Sequence, residues 1–222
     1  MAGRTRSTLL QTTARLLQHR GYHGTSLSDI LAKSGSPRGS LYFHFPGGKD
    51  QLVLEATKAS VQQTTQELRS ALERASNPAR GVREFVEAAA GILRETAYTF
   101  GCPVAPVILD AAGGAPELAE LCRQALDEWT GLLKDAFIRA GATPGRAGPM
   151  ALIVMATIEG LLLMARARQD SRPLLEVAAP LEAIVQGILP RRATGPSSGP
   201  APGRGRRERH RTLAGRGRKP RP

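Results

Sequence analysis

The stretch GTSLSDILAKSGSPRGSLYFHFPGGK, which spans residues 24–49, decides the fold of this chain. Near its start, Ser26 is followed three residues later by Asp29, which is the spacing of a capping box at the beginning of a helix. The apolar residues that follow are spaced as one face of a helix, and Gly35 marks its end. The sequence therefore predicts a short helix between Ser26 and Gly35.

A second short helix is predicted directly after Pro37, over residues 38–45, with Leu41 and Phe45 on its inward face. Upstream, apolar residues at helical spacing predict a longer first helix over about residues 5–20. A longer helix followed by two short helices with a tight turn between them is typical of a helix-turn-helix. The same three elements also occur in structural bundles that bind nothing, so the surface of the third helix decides between the two.

That surface combines aromatic, small and basic side chains. Packing the apolar face inward leaves Tyr42 and Phe43 outside, with Arg38 and His44 at the flanks. Exposed aromatic rings are costly in water unless they meet a partner. An arginine can donate two parallel hydrogen bonds to guanine, and an aromatic ring can pack on a thymine methyl group. We therefore interpret the third helix as a surface that reads DNA.

Composition favours an all-α fold, because hydrophobic residues make up 41% of the chain while aromatic residues make up 4%, and alanine and leucine dominate the apolar set. Helical spacing predicts about nine helices, three in an N-terminal headpiece over residues 3–62 and six in a C-terminal domain over residues 63–190. Beyond the headpiece, Gly and Pro predict breaks at residues 77–78, 101–103, 113–116, 144–149 and 171–173. Residues 191–222, which contain almost no apolar side chains, are expected to be a disordered tail.

Charge is distributed unevenly along the chain, whose net charge is +12. Residues 1–50 contain seven Lys or Arg against two acids, and residues 191–222 contain eleven against one. Residues 51–189 contain thirteen against sixteen, so the middle of the chain is slightly acidic. This distribution indicates a polyanion partner at the two ends. The basic tail is compatible both with phosphate contacts and with the composition of a GC-rich coding sequence.

The central motifs resemble the TetR/AcrR family of transcriptional regulators. The segment Arg-Gly-Ser-Leu-Tyr-Phe-His-Phe at residues 38–45, with Lys49 shortly after it, is specific for that family. The Pro-Gly-Gly-Lys that follows, together with Gly-Cys-Pro-Val at residues 101–104, is similar to its LmrA/YxaF-type subgroup. The resemblance in the DNA-binding part covers about residues 5–60, and the number and order of the later helices are compatible with the family.

The resemblance implies a homodimeric repressor that binds a palindromic operator in double-stranded DNA and is released by a small apolar or amphipathic ligand. It also implies that the C-terminal domain binds this ligand and forms the dimer. Thr25 and Ser26 are expected to present free N–H groups of the second helix to a phosphate. The expected DNA contacts are Thr25, Ser26, Ser36, Arg38, Gly39, Ser40, Tyr42, Phe43, His44 and Lys49, with Phe43 at a variable position of the family.

Candidates for a ligand pocket lie in the middle of the chain, although each of its aromatic residues is individually more typical of a plain core. They are Tyr98, Phe100, Cys102, Val104, Ile108, Trp129, Leu133, Phe137, Ile158, Glu159 and Leu162. Glu159 interrupts an apolar helix, where an unpaired carboxylate is costly, so we expect it to form structural hydrogen bonds, to line the pocket or to lie in the dimer interface. Cys102 is a weak candidate for an oxidant sensor, because no basic neighbour in the sequence would lower its pKa.

The dimer interface is expected on the last two helices. Ala156 and Gly160 lie four residues apart and permit the close approach of another helix. Packed with the last helix, this face would pair with its copy as a four-helix bundle. The expected interface residues are Ala156, Gly160, Leu181, Ile184, Val185 and Ile188.

Other classes of protein are disfavoured by the sequence. The N-terminus has no recognisable secretory leader, and the apolar run of residues 150–165 is shorter than a membrane span, so we expect a cytoplasmic protein without a membrane partner. Residues 51–189 contain no histidine, so we expect no enzyme, no metal and no cofactor. The alternatives are an architectural protein that binds DNA through charge alone and a helix-turn-helix fused to an enzyme.

Overall fold

A computed structural model describes residues 2–111 and 115–190, and every regular element within these ranges is a helix. The predicted all-α class is therefore confirmed for the described part of the chain. Its nine helices are α1 (Ala2–Arg20), α2 (Leu27–Ser34), α3 (Arg38–His44), α4 (Gly48–Arg74), α5 (Pro78–Glu95), α6 (Ala105–Ala111), α7 (Pro116–Arg139), α8 (Pro144–Arg168) and α9 (Arg172–Gln186). The disorder expected of residues 191–222 concerns residues outside the described part.

The first three helices and the start of α4 enclose a small apolar core, which we call the headpiece core. It consists of Leu9, Leu16, Ile30, Leu41, Phe45 and Leu52. Each of these side chains is at most 3% exposed, and burying a side chain of this kind contributes about 1.5–3 kcal/mol. α2 and α3 have eight and seven residues, too few for a stable isolated helix. Their helical state therefore depends on this core.

The ends of α2 follow the predicted sequence signals. Ser26 is the N-cap, and its Oγ accepts a hydrogen bond from the backbone N–H of Asp29 at 3.0 Å. Gly35 ends the helix in the left-handed conformation, with φ of 63°, which a residue without a Cβ adopts at low cost. Pro37 lies one position before α3 as its N-cap, rather than in its first turn.

α1 packs on two sides, which the sequence pattern did not separate. Leu9 and Leu16 belong to the headpiece core, whereas Leu17 belongs to a larger core formed with the later helices. Leu10 and Ala14 are only partly buried. A helix that contacts two cores has a broader apolar face than one stripe describes.

The larger core, which we call the main core, joins α4, α5, α7, α8 and α9 with the segment around α6. Its largest buried side chain is Trp129, whose indole Nε1 donates a hydrogen bond to Thr65 Oγ1 at 2.8 Å. α4 contributes to both cores because it runs without interruption from Gly48 to Arg74. The described residues form one compact unit, and the boundary predicted at residues 62–63 falls inside α4.

The break predicted over residues 144–149 is wrong, because α8 begins at Pro144 and continues through Pro149. Pro144 occupies the first turn, where no intrahelical N–H bond is required. Pro149 lacks the N–H that would pair with the carbonyl of Gly145, but both residues are exposed, so water can satisfy that carbonyl. α9 likewise contains Pro180 at an exposed position.

Because it starts early, α8 has 25 residues and is long and apolar enough to span a membrane by length and composition. The sequence-based judgement that this segment is too short therefore does not hold for the helix. Core helices of soluble proteins meet the same criterion, and α8 has Ala151, Val154, Ile158 and Ala165 buried in the main core. These contacts place α8 among the packed helices of the unit.

Two polar contacts tie the end of α1 to the C-terminal helices. The Asp110 carboxylate of α6 accepts a hydrogen bond from the backbone N–H of His23 at 3.2 Å. The Arg166 guanidinium of α8 donates to the backbone carbonyl of Gln18 at 3.2 Å. Gly21, which has φ of 69°, sits so close to Asp110 that a Cβ would overlap the carboxylate. We call this group of contacts the α1–α6 junction.

Gly21→Ala and Gly35→Ala test the junction as a matched pair. Both glycines have positive φ, so each substitution carries the left-handed penalty of about 1–2 kcal/mol. A Cβ on Gly35 meets no described atom within 4 Å, whereas one on Gly21 displaces Asp110. We therefore expect Gly21→Ala to lower the free energy of unfolding by about 1 kcal/mol more than Gly35→Ala, the value of one lost hydrogen bond.

Urea unfolding of both variants at one protein concentration measures this difference. Equal losses of stability in the two variants would contradict the close contact between Gly21 and Asp110.

Candidate functional site

α3 presents the side chains that the sequence placed on its outer surface. Leu41 is fully buried, while Tyr42 and Phe43 are 44% and 76% exposed. Arg38, in the first position of α3, is exposed and forms no ion pair or side-chain hydrogen bond with any residue in the described ranges. A basic group and two aromatic rings therefore lie next to each other on a helix whose opposite side fills the headpiece core.

The remaining predicted residues of α3 complete this surface. Gly39 is exposed, with no described atom within 4 Å of a Cβ position, so a partner could approach its backbone closely. Ser40 is half-buried. The ring of His44 is also half-buried and meets Phe43 edge to face, with ring centroids 5.0 Å apart. His44 thus combines partial packing with access to solvent, as the sequence indicated.

Thr25 does not offer the groups that the sequence assigned to it. Its side chain is fully buried, and its hydroxyl donates to the carbonyl of Gly21 at 2.7 Å. Its backbone N–H donates to the carbonyl of Tyr22 at 3.3 Å. The N–H that was expected to be free is therefore already used within the protein, as is the hydroxyl, because Thr25 closes the turn between α1 and α2.

Ser26 and Ser36 remain near the surface but differ in their contacts. Ser26 is half-buried, and its hydroxyl also donates to the Asp29 carboxylate at 2.7 Å. This hydrogen bond, followed by one from the Ser26 backbone, lowers the pKa of the Asp29 carboxyl. The backbone N–H of Ser36 donates to Ser34 Oγ at 3.3 Å, and the Ser36 hydroxyl makes no hydrogen bond to another residue in the described ranges.

Lys49 is held by the protein itself. Its Nζ donates to the backbone carbonyl of Tyr22 at 3.1 Å and lies 4.3 Å from the centre of the Tyr22 ring. The Tyr22 hydroxyl donates to Asp50 at 2.7 Å, and this hydrogen bond is the main reason that the pKa of Tyr22 is raised. The cluster of Tyr22, Lys49 and Asp50 fixes α4 to the end of α1. Sequence reasoning missed this cluster because its members are 27 and 28 residues apart.

A cavity of about 370 Å³ opens among α4, α5, α7, α8 and the segment before α6. Its walls are largely apolar, with Leu68 from α4, Phe85 and Leu93 from α5, and Met155 from α8. The sequence predicted five of its lining residues, namely Cys102, Trp129, Ile158, Glu159 and Leu162. The described ranges contain no group of three His, Cys, Asp or Glu that could hold a metal ion.

The other pocket candidates lie elsewhere. Val104, Leu133 and Phe137 are completely buried in the main core, so their side chains have no surface left for a ligand. Ile108 packs partly buried against the same core. Tyr98 and Phe100 line two separate surface clefts near the end of α1. Helical spacing identified apolar residues here without distinguishing a filled core from the wall of a cavity.

Glu159 lies at the boundary between the cavity and one of these clefts, because it lines both of them together with Cys102 and Leu162. Burial raises the pKa of the Glu159 carboxyl above its ordinary value, and its hydrogen bond with the Cys102 thiol offsets part of this rise. Of the ion pairs in the described ranges, none includes Glu159. Of the three roles considered for it, the placement favours pocket lining.

Neither cysteine has the surroundings of a reactive thiolate. Burial and the nearby Glu159 raise the pKa of Cys102 well above its ordinary value. Burial also raises the pKa of Cys122 to about 11. Both thiols are therefore protonated near neutral pH, whereas oxidant sensing depends on the thiolate.

The predicted dimer residues divide between surface and interior. Ala156, Gly160 and Ile184 are exposed, and Ile188 is half-buried. Leu181 and Val185 are 2% and 0% exposed and belong to the main core, so they are corrected to core residues of the protomer. The sequence pattern included them because α9 has apolar residues on both faces. The same pattern did not identify five further apolar residues that are exposed on α8 and α9, namely Leu152, Ile153, Leu163, Met164 and Leu175.

A helix-turn-helix with an outward-facing basic and aromatic third helix, attached to helices that enclose a cavity, defines a DNA-binding transcriptional regulator. Residues 9–56 match the model for bacterial regulatory proteins of the tetR family. Residues 78–180 match the C-terminal domain of LmrA/YxaF-like transcriptional regulators. The chain is 33% identical to the HTH-type transcriptional regulator LmrA of Bacillus subtilis over 80% of this chain and 94% of that protein. The chain therefore belongs to the TetR family.

Solved structures show the same fold. A TetR-family regulator from Agrobacterium tumefaciens superposes with a TM-score of 0.74 at 22% identity, covering 86% of this chain and all of that one. A cysteine mutant of the TetR-family regulator CifR, complexed with double-strand operator DNA, gives a TM-score of 0.68 at 24% identity over 80% of this chain and 94% of that one. Membership of this family favours a sequence-specific regulator over an architectural protein that binds through charge alone.

Glu159→Gln tests whether the carboxyl is destabilised by burial. A carboxyl with a raised pKa in the folded state keeps its proton to higher pH than in the unfolded chain, so stability falls as pH rises from the ordinary Glu value to the raised one. Each unit of that rise corresponds to about 1.4 kcal/mol. Since glutamine cannot ionise, the variant should be more stable than the native protein by an amount that grows with pH.

Urea unfolding at a series of pH values from acid to neutral measures this difference. Glu95→Gln, which removes a charge from an exposed position on α5, is the matched control. A constant difference between Glu159→Gln and the native protein across this range would show that burial does not disfavour the charged carboxyl.

Proposed function

We propose that this protein is a homodimeric repressor that binds a palindromic operator and is released by a small amphipathic ligand. One observation carries the DNA-binding part, namely that Leu41 and Phe45 fill the headpiece core while Arg38, Tyr42 and Phe43 face outward. A helix in this orientation can enter the major groove with its exposed side chains against the base edges.

Arg38 and the aromatic pair are the specificity-determining residues in this proposal. The Arg38 guanidinium would donate its fork to O6 and N7 of a guanine, a contact worth about 1–3 kcal/mol of base discrimination. Tyr42 and Phe43 would contact phosphate oxygens or thymine methyl groups. The DNA backbone on either side of the contacted bases would be bound by Ser26, Ser36, Ser40 and His44. The structural likeness to a CifR mutant complexed with operator DNA supports operator binding by this chain.

Thr25 and Lys49 would act indirectly. Thr25 closes the turn before α2, and Lys49 fixes the start of α4 to the end of α1. The Thr25 contact fixes α2 relative to α1, and the Lys49 contact fixes α4 relative to α1. Since α3 lies between α2 and α4 in the chain, both contacts would help to fix its position. Their replacement would weaken operator binding through the shape of the headpiece rather than through a lost phosphate contact.

The exposed apolar stripe of α8 and α9 supports the dimer. On α8, Leu152, Ala156, Gly160 and Leu163 are exposed and recur every three or four residues, the spacing of one helix face. On the neighbouring α9, Ile184 is exposed in the same way. Two helices from each copy would bury these residues as a four-helix bundle, and the small side chains would let the helices approach closely. A symmetric dimer would place two copies of α3 in successive major grooves.

The cavity supports the proposal that a small ligand releases the operator. Its volume falls in the range of small-molecule sites, and its boundary residues Cys102 and Glu159 also line the cleft next to α1 and α6. A ligand lowers operator affinity only as far as it binds the released state more tightly than the bound state. The α1–α6 junction is the contact through which that preference would reach the headpiece. Such a regulator would work in the cytoplasm, on DNA, and without catalysis.

The operator prediction is tested by selecting bound DNA from a random pool with the full chain. We expect a palindromic or near-palindromic motif, because a symmetric dimer imposes its symmetry on the site. On the selected operator, Arg38→Ala and Tyr42→Ala should each weaken binding by about ten- to a hundredfold, measured by fluorescence anisotropy. Arg94→Ala, which removes an exposed arginine on α5, should bind like the native protein.

Deletion of residues 191–222 separates this proposal from binding through charge alone. The shortened chain should keep its footprint on the selected motif, although its affinity will depend less steeply on salt if the tail contacts phosphates. Loss of sequence preference on deletion, or full operator affinity in Arg38→Ala and Tyr42→Ala together, would refute the proposed role of α3.

The dimer prediction is tested by Leu163→Glu and Ile184→Glu. Both side chains are more than half exposed in the protomer, so a carboxylate is tolerated there, but it would be buried without a partner in the dimer. We expect both variants to be folded monomers by circular dichroism and analytical ultracentrifugation, and to lose operator binding at concentrations where the native protein binds.

Leu109→Glu provides the matched control, because Leu109 is 81% exposed but lies on α6. It should remain dimeric. Dimers of unchanged strength in Leu163→Glu and Ile184→Glu would place the interface elsewhere.

A further inference from the structure

Glu159 is a carboxyl group without a compensating cation in a largely apolar cavity. It lies on the α8 side of the cavity, among Met155, Ile158 and Leu162. Its described polar neighbour is the Cys102 thiol, which is itself 6% exposed. A thiol is a weak hydrogen-bond donor and cannot neutralise a carboxylate. The protein therefore keeps a costly group in this wall, although an apolar residue would pack there without penalty.

The other charged residues of the cavity increase the negative potential. Glu67, Glu84 and Glu159 line it, against a single lining cation, Arg74. Glu84 forms an ion pair with Arg80, with Nε and Oε1 2.9 Å apart, so Glu67 and Glu159 carry the excess of negative charge. Arg74 is exposed and its Nε is bound to the Ser70 carbonyl. The chain as a whole has a net charge of +12, so the sign of this lining is opposite to that of the protein. A site of this sign attracts cations and repels anions.

Aromatic side chains provide a second feature that suits a cation. Phe85 and Trp129 line the cavity on the α5 and α7 sides. The face of an aromatic ring attracts a cation, most strongly for tryptophan. Leu68, Leu93 and Ile158 offer the remaining apolar surface. The cavity thus combines an apolar interior with an acceptor at one wall.

We propose that the cavity binds an amphipathic monocation, whose apolar body fills the space between α4 and α5 and whose protonated nitrogen meets the Glu159 carboxylate. This inference rests on the proposed function, because it names the chemical class of the ligand that releases the operator. Bound in this way, the ammonium donates to Glu159 the charge-assisted hydrogen bond that the protein does not supply. An organic anion of the same shape would face the three carboxyl groups of the lining.

The position of Glu159 also links this ligand to the headpiece. Together with Cys102 it separates the cavity from the cleft that His19 and Arg166 line, and Arg166 holds the carbonyl of Gln18 at the end of α1. A charge that binds on the cavity side of Glu159 therefore acts close to the contacts of α1. No comparable connection is available to a ligand held by the outer residues Glu67 and Arg74.

Three compounds with one skeleton test the proposal: 4-phenylbutylamine, 4-phenylbutan-1-ol and 4-phenylbutyrate. Trp129 is the single tryptophan of the chain and lines the cavity, so its fluorescence reports occupancy directly. The amine should bind the full-length protein about ten- to a hundredfold more tightly than the alcohol, and the carboxylate should bind most weakly. In Glu159→Gln the preference for the amine over the alcohol should fall to about twofold or less.

The control variant Glu95→Gln should keep the native order of affinities, because Glu95 lies outside the cavity lining. Circular dichroism and operator binding without ligand show whether Glu159→Gln is folded. Equal binding of the amine and the alcohol, a preference for the carboxylate, an amine preference that survives in Glu159→Gln, or no binding of any of the three would overturn the proposal.

Release of labelled operator, measured with the same compounds, distinguishes a wrong ligand class from a wrong release mechanism. If the alcohol or the carboxylate binds more tightly and releases the operator, a ligand-released repressor stands and the cationic class is wrong. If the amine binds through Glu159 and the operator stays bound, the cation site stands and release by this ligand is wrong.

Discussion

The burial of Leu41 and Phe45 in the headpiece core is the constraint on which the proposed DNA-binding surface depends. α3 has seven residues, so it cannot maintain its own helical state, and these two contacts fix both its formation and its rotation. Once that rotation is fixed, Arg38, Tyr42 and Phe43 have no position available except the outer surface. The hydrophobic packing of the headpiece therefore sets the orientation of the proposed DNA-contacting side chains, since the same residues that stabilise α3 fix its rotation.

Local signals in the sequence were sufficient for most of the fold. The cap at Ser26, the left-handed end at Gly35 and the inward Leu41 depend on neighbours within a few residues, and each was predictable. Pro149 shows the limit of such signals, because the effect of a proline depends on whether the carbonyl that it leaves unpaired can reach water. Leu181 shows a different limit, because an apolar residue on a two-faced helix does not reveal which face meets the partner.

The candidate sites were less predictable than the helices because they depend on long-range contacts. Thr25 was expected to face DNA, but it is buried by a turn whose shape is set by the positive φ of Gly21. Lys49 was expected to contact DNA, and no local pattern indicates that its Nζ donates to the backbone carbonyl of Tyr22, which lies far from it in sequence. Glu159 was recognised as a costly residue from its position in an apolar helix, and only the packing of four helices shows that it lines a cavity.

α4 has a mechanical consequence for the whole molecule. Its 27 residues extend over about 40 Å, with Leu52 in the headpiece core near one end and Leu68 in the cavity wall towards the other. A rod of this length acts as a lever arm, and a tilt of roughly 5° displaces its far end by roughly 3 Å. Successive major grooves on one face of the duplex are about 34 Å apart, so in the proposed dimer a small change of angle at the cavity would be enough to misalign the two headpieces with those grooves.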